Sequence, residues 1–487
     1  MATHYDLIVI GSGPGGQKGA IQAAKIGKKV ALIEKDRALG GACVHRGTIP
    51  SKTLRASALR LAEFEREASR LGMPLAKGMR MAKLRSDLSQ VIAAHVGIAE
   101  QHLERNRIDC IHGCARLKSA HEVEITWLDG TSKRIGAQHI LIATGSRPRT
   151  PQHVEIDHDQ ILDSDSLLAL DYLPQTLCIL GGGVIASEYA SIFAAVGVEV
   201  SMVDTHPRPL GFLDTDLSDE FVRKLEQHGG RFLGERRVCE VRQDDFRGVT
   251  TRTTDGTIIE SEKLLVALGR VPNVEGLGLQ SASIVLNERG TIRVDEYFRT
   301  SAPSVSAVGD VIGYPALASY SMEQGRRAIC HVYGIDPGAG SDTIPMGIYT
   351  IPEIACVGLN ERDANLRADE FGGDITVGRA RFNELARGHI SNGGQGMLKL
   401  ISDTRGEKIL GIAVAGEGAT ELVHVGQMAL QCGGTVRTLV ETVFNFPTLA
   451  EAYRVAALDV LKQVRSRGSG GDSIASLGAG QAHRSAA

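Results

Sequence analysis

Leu7-Ile8-Val9-Ile10-Gly11-Ser12-Gly13-Pro14-Gly15-Gly16 opens a stretch that runs through Gly27 to Val30-Ala31-Leu32-Ile33-Glu34. Four apolar residues predict a buried strand, the glycines a turn, and the segment to Ile26 a helix; a second apolar run then ends on an acid. Each position answers a physical demand. Gly11 permits the tight turn, Gly13 lets a pyrophosphate approach the backbone at the helix N-terminus, and Gly16 lets helix and strand pack closely. Glu34 stands where a carboxylate would hold a ribose hydroxyl.

The pattern returns at Leu177-Cys178-Ile179-Leu180, Gly181-Gly182-Gly183-Val184-Ile185-Ala186, Gly197 and Val200-Ser201-Met202-Val203-Asp204. Gly27 and Gly197 both follow the first glycine of their unit by 16 residues, and Glu34 and Asp204 both follow it by 23. Two matched copies in the order strand, turn, helix, strand, acid predict two doubly wound, Rossmann-like α/β domains. Ala143-Thr144-Gly145 closes the first unit and Ala267-Leu268-Gly269 the second. The closing glycine follows the acid by 111 residues in the first unit and by 65 in the second, so the specialised chemistry is expected in the longer insertion. That insertion holds Cys43 and two helix-like stretches, 52–70 and 87–105.

Further out, Met397 to Ile401 and Lys408 to Ile412 predict an antiparallel hairpin, followed by a helix through Glu421 to Gln431, which makes residues 346–465 an α+β domain. Residues 466–487, rich in Gly, Ser and Ala, are expected to be disordered. The expected layout is a domain over 1–150 completed by 281–345, a second over 151–280, and a third over 346–465.

A chain of 487 residues has room for roughly three domains of about 150. With 43% hydrophobic and 23% charged residues it has globular composition, and its 57 glycines exceed the usual share of about 7%. A net charge of −3 supplies no basic field, which argues against nucleic acid or an anionic membrane as partner. The first residues lack a basic region, and no apolar run is long enough for a bilayer. Eight scattered cysteines with no Cys-x-x-Cys pair fit a reducing compartment, so the cytoplasm is expected. Cys110 and Cys114 lack the histidine or carboxylate neighbours of a metal site, and no metal is expected.

Both units, the Ala143-Thr144-Gly145 closure, Val308-Gly309-Asp310 and Pro447-Thr448 together resemble the flavin-dependent pyridine nucleotide–disulfide oxidoreductases over about residues 5–465. The resemblance implies FAD on the first unit, with Gly11, Gly13, Gly16, Glu34, Gly40, Gly41, Cys43, Lys52, Thr144, Gly145, Gly309 and Asp310 as its site and Asp310 on the ribityl chain. It implies NAD(H) or NADP(H) on the second, at Gly181, Gly183, Ala186, Glu188, Asp204, His206, Arg208 and Gly269. It also implies a dimer or larger homo-oligomer through the last domain, and a Lys52–Glu188 pair beside the isoalloxazine.

Two departures from the family's pattern narrow the chemistry. Dithiol-using members carry a second cysteine five residues after the first, where this chain has Thr48, and a hydroxyl cannot form a disulfide. They place a histidine immediately before Pro-Thr, where this chain has Phe446, which moves no proton. Gly40-Gly41-Ala42-Cys43-Val44-His45-Arg46-Gly47-Thr48-Ile49-Pro50-Ser51-Lys52 with Phe446-Pro447-Thr448-Leu449-Ala450-Glu451 is similar to the si-specific pyridine nucleotide transhydrogenases, and so are Gly309 to Pro315 and Ile348 to Ile354. That subfamily implies NADPH + NAD⁺ ⇌ NADP⁺ + NADH through the flavin, with catalytic weight on Lys52 and Glu188. Cys43 reads either as a small group packed on the flavin or as a redox thiol, and His45 either as a structural donor or as an acid–base group. Asp204 suits the ribose of NAD(H); His206 and Arg208 suit a 2′-phosphate, although Arg208 also reads as a solvated cation. A diaphorase reducing quinones and a non-catalytic redox sensor are the rival functions.

Overall fold

The computed structural model describes residues 4–73, 77–244, 248–340, 343–391 and 394–468. They form two compact units, one of residues 1–340 with 349–351 and one of residues 341–348 with 352–487.

In the first unit, β1 (His4–Ile10) leads through the glycine turn into α1 (Pro14–Lys25) and β2 (Val30–Glu34). Proline at the first helical position costs nothing, because its missing N–H would have had no intrahelical partner. Gly11 has φ +102°, and a Cβ there would lie 2.4 Å from the Ala143 oxygen, so both conformation and space demand glycine. The long insertion supplies α2 (Gly41–His45), α3 (Thr48–Arg70) and α4 (Lys77–Arg105), the last beginning ten residues before the expected start. Then follow β3 (Asp109–His112), β4 (Cys114–Leu117), β5 (Glu122–Thr126) and β6 (Ser132–Ile142).

These strands form a sheet in the order β3-β2-β1-β6-β5-β4, with β1 parallel to both neighbours. Both faces are covered. Leu7, Val9, Leu32 and Leu141 pack with the helices in one core, while Ile8, Ile10, Ile33, Ile140 and Ile142 fill a second. Double coverage explains why β1 and β2 read as unbroken apolar runs rather than alternating ones.

After β7 (Ser146–Pro148) and β8 (Ile161–Asp163), the second copy appears as β9 (Thr176–Leu180), α5 (Val184–Ala195) and β10 (Glu199–Val203). It continues with α6 (Thr215–Gln227) and β11 (Arg231–Leu233). A three-stranded antiparallel sheet of β12 (Val238–Asp244), β13 (Gly248–Thr253) and β14 (Ile258–Ser261) precedes β15 (Lys263–Val266). The parallel order β11-β10-β9-β15-β8 repeats the doubly wound plan. β16 (Arg270–Pro272) pairs antiparallel with β7, which ties the closing segments of the two copies together. The chain then returns to the first sheet through β17 (Val305–Ala307), which pairs with β6, and α7 (Ala318–Val332), which crosses α1. The crossing is close: a Cβ on Gly325 would lie 2.1 Å from the Gly15 oxygen.

The second unit begins with β18 (Met346–Ile348), β19 (Ile354–Gly358), α8 (Glu361–Leu366), β20 (Thr376–Arg381) and α9 (Ala386–Ile390). The expected hairpin is β21 (Gly396–Ser402) with β22 (Ile409–Gly416), and the expected helix is α10 (Ala419–Gln431). α11 (Val436–Glu441) and α12 (Glu451–Gly468) complete it, the five-stranded sheet running β18-β19-β22-β21-β20. The boundary expected at residue 466 is corrected by α12, which continues through Gly468 on an apolar face that includes Val460, Leu461 and Val464. The rest of that expected tail, 469–487, lies outside the described residues. Among the described residues no helix is long and apolar enough to cross a membrane.

Candidate functional site

The two glycine turns have the same build. Gly13 caps α1 and Gly183 caps α5, neither helix end has a side-chain cap, and a Cβ on either glycine would meet nothing within 4 Å. Uncapped N–H groups facing open space form an anion cradle. Gly16 meets the opposite condition, since its Cβ would lie 2.0 Å from the Gly11 oxygen. In the second turn Gly181 has φ +117°, and Ala186 occupies the place of Gly16, fully buried.

Glu34, 6% exposed, accepts hydrogen bonds from Ser12 N (2.8 Å), Ser12 Oγ (2.6 Å) and Asp36 N (2.9 Å). Ser12 Oγ accepts in turn from Gly40 N at 2.9 Å, and a Cβ on Gly41 would lie 2.9 Å from Gly13 Cα. The acid therefore anchors the turn and seats the Gly40-Gly41 loop against it, a task the sequence pattern did not reveal.

Beside this loop the structure gathers Cys43, Thr48, Lys52 and Asp310. Burial pushes the Cys43 thiol up, opposed by a hydrogen bond with Thr48 and the Lys52 charge, while the Asp310 carboxylate raises it further. The residue at the second-cysteine position is thus a hydroxyl, and all eight cysteines are free thiols. His45 Nε2 lies 2.9 Å from the Leu39 carbonyl oxygen, a structural contact.

Lys52 Nζ donates to both Glu188 oxygens, at 2.9 and 2.8 Å, and to Ser51 Oγ at 3.2 Å. Glu188 is buried on α5 and Lys52 is partly open. The Tyr349 backbone N–H also donates to Glu188 Oε1 (2.9 Å), and the Tyr349 ring centroid lies 4.7 Å from Lys52 Nζ.

Asp310 Oδ2 accepts from Ser146 Oγ at 2.6 Å, and that hydroxyl accepts from Arg270 Nε at 2.8 Å. Gly309 N donates to Gln324. Thr144 Oγ1 donates to the Asn273 carbonyl, and the Asn273 amide returns a bond to the Thr144 carbonyl, both at 2.8 Å, so Thr144 joins the closing segments where Gly145 (φ +67°) and Gly269 (φ +101°) turn.

At the end of β10, Asp204 Oδ1 accepts from His206 N (2.8 Å) and lies 2.7 Å from His206 Nδ1, while the imidazole is largely exposed. Arg208 Nε donates to Asp219 Oδ1 at 2.6 Å on the surface. Phe446 is 68% exposed in the second unit. Ser12, Ser146, Arg270, Asn273 and Tyr349 carry no assigned role in the sequence reading. Ser12 and Arg270 adjoin recognised glycines, whereas Tyr349 lies far along the chain from the groups it touches.

Two uncapped turns that leave room for pyrophosphates, each followed by an acid, fit two dinucleotides, one of which can be FAD. Fold and site define a protein built on paired dinucleotide-binding units with a thiol, a lysine and a carboxylate at one turn. Residues 5–325 match the pyridine nucleotide-disulphide oxidoreductase model and residues 344–457 the dimerisation domain of the same group, and the chain belongs to this family. It is 41% identical over 464 residues to a soluble pyridine nucleotide transhydrogenase of Mycobacterium tuberculosis (95% of this chain, 98% of the relative). It is 38% identical over 466 residues to a protein of the same name from Pseudomonas aeruginosa (95% and 99%). Among solved structures, it is similar to a Cu(II) complex of the HOCl-induced flavoprotein disulfide reductase RclA from Escherichia coli, at TM-score 0.84 and 27% identity (94% and 99% covered). LpdA from Mycobacterium tuberculosis matches at TM-score 0.84 and 28% identity (94% and 99%).

Proposed function

We infer that this chain is an FAD-dependent NAD(P)⁺ transhydrogenase catalysing NADPH + NAD⁺ ⇌ NADP⁺ + NADH. The supporting observation is Thr48 at the position where a disulfide would need a second sulfur, with Cys43 a free thiol, within a family whose similar relatives carry the transhydrogenase name. Residues 1–150 with 281–345 hold FAD, residues 151–280 hold the nicotinamide dinucleotides, and residues 346–465 form a homodimer interface. The cytoplasm suits a protein with eight free thiols.

Bound FAD would supply the two-electron hydride chemistry that links one nicotinamide to another. The α1 N-terminus and Gly13 receive its pyrophosphate, and Asp310, fixed by Ser146, takes a ribityl hydroxyl. Lys52 favours the electron-rich reduced state, and Glu188 holds Lys52 in place. Gly183 and α5 receive the pyrophosphate of NAD(H) or NADP(H) in turn, with Asp204 on the ribose and His206 and Arg208 near a 2′-phosphate. No proton moves through Cys43 or Phe446.

Steady-state assays test this. NADPH oxidation should yield one NADH per NADPH with parallel double-reciprocal lines. Cys43→Ser should keep the rate within about tenfold, a barrier change under about 1.4 kcal/mol. A loss beyond 100-fold in Cys43→Ser, or dithiol-dependent turnover of a disulfide substrate, would contradict it.

A further inference from the structure

Residues 349–351 belong to the first unit, and bonds from each of them reach its two helices α3 and α5. Tyr349 N donates to Glu188 Oε1 (2.9 Å), Arg55 Nε donates to the Thr350 carbonyl (2.8 Å), and Ile351 N donates to Ser191 Oγ (3.0 Å). Arg55 lies on α3 with Lys52, and Ser191 lies on α5 with Glu188, so the tripeptide is anchored to both helices that bring the ion pair together. Thr350 and Ile351 are buried, which fixes the backbone that carries the Tyr349 ring.

A lysine ammonium has three donors, and Lys52 gives them to the two Glu188 oxygens and Ser51. The ammonium sits on a flexible four-carbon stem, so contacts besides its hydrogen bonds help to hold its position. The Tyr349 ring supplies such a contact, an electron-rich face 4.7 Å from Nζ. Its backbone N–H meanwhile pins the Glu188 oxygen that receives Lys52.

We propose that Tyr349 is a positioning residue for the hydride-transfer site, its ring and backbone N–H together fixing the Lys52–Glu188 pair in the one arrangement that favours reduced flavin. This rests on the placement of Lys52 at the flavin made above. The ring face and not the hydroxyl performs the task, so Tyr349→Phe retains it and Tyr349→Leu loses it. With the ring gone the lysine charge spreads over several positions, reduced flavin is less favoured, and the flavin potential falls.

The test is the two-electron potential of the bound flavin in the FAD-loaded protein, measured by equilibration with a reference dye for wild type, Tyr349→Phe, Tyr349→Leu, Lys52→Met and the Lys52→Met/Tyr349→Leu double variant. Tyr349→Phe should match wild type. Tyr349→Leu should lower the equilibrium constant for reduction about tenfold, which is about 30 mV for a two-electron couple. In the Lys52→Met background the same change should have no effect, because the group it positions is absent. An unshifted potential in Tyr349→Leu, or a shift that persists without Lys52, overturns the proposal. An unchanged potential in Lys52→Met instead overturns the placement of Lys52 at the flavin. Should Tyr349→Leu fail to retain FAD, Tyr349→Met, unbranched at Cβ, carries the same prediction.

Discussion

Asp204, His206 and Arg208 follow one another just after β10, Asp204 bonded to His206 and Arg208 to Asp219. The Asp204 carboxylate would accept a ribose hydroxyl and repel a 2′-phosphate, yet Oδ1 is already engaged by His206. Arg208 is held by Asp219, but both side chains are about half exposed, and an exposed pair of this kind yields easily to a stronger anion. Arg208→Ala should therefore weaken NADPH binding roughly tenfold and leave NADH nearly unchanged, while Asp204→Ala should weaken NADH selectively. Equal losses for both dinucleotides in Arg208→Ala, read from dissociation constants in flavin-reduction transients, would rule out the assignment. At this scale residue type was legible and partner was not: the sequence places a cation at position 208, but Asp219 reaches it only once α6 is folded.

Helix α1 shows how one element separates ligand space from packing space. Gly13 opens onto nothing within 4 Å, whereas a Cβ on Gly325 of the crossing helix α7 would drive into the Gly15 carbonyl. Gly13→Val should leave the thermal stability of FAD-free protein close to wild type and abolish FAD retention, because its side chain fills the pyrophosphate's approach. Gly325→Ala should cost about 1–3 kcal/mol with or without FAD, from overpacking at a backbone contact. Equal destabilisation of FAD-free protein by both variants would contradict this division. The paired turns were legible because tight turn, phosphate approach and close packing each demand glycine at a fixed spacing. Tyr349 was not, since a single aromatic on a short segment carries no period and its partners lie more than 150 residues away in sequence. The start of α4 was placed too late: Met81, Leu84 and Leu88, all buried, keep the helical spacing across the expected start at residue 87, and the sequence reading did not extend the helix back through them.

Within the first unit, His139 faces Leu7 across the β1–β6 ladder, stacks edge-on against Tyr333 at 5.6 Å, and has a buried Nδ1 with no hydrogen-bond partner among the described residues. Burial, with smaller contributions from His121 and Lys28, holds its pKa below the ordinary value of 6.5. The unfolded chain then binds the proton more readily than the folded one, so stability is complete above about pH 6.5 and is lost as pH falls through the folded value, by at most about 1.4 kcal/mol per pH unit. Urea midpoints of wild type should accordingly fall relative to His139→Leu between pH 7 and 5. A constant difference would remove His139 from the acid response.

The first unit carries two dinucleotide-binding repeats and the second matches a dimerisation domain, and hydride entering from one nicotinamide is expected to leave on another. The most direct measurement is stopped-flow absorbance of the purified flavoprotein, reduced with one equivalent of NADPH and then mixed with NAD⁺, a quinone, a disulfide or oxygen. NAD⁺ should reoxidise the flavin at a rate at least equal to steady-state turnover, with stoichiometric NADH, and the other acceptors should lag far behind. Reoxidation by quinone or disulfide faster than by NAD⁺ would contradict it.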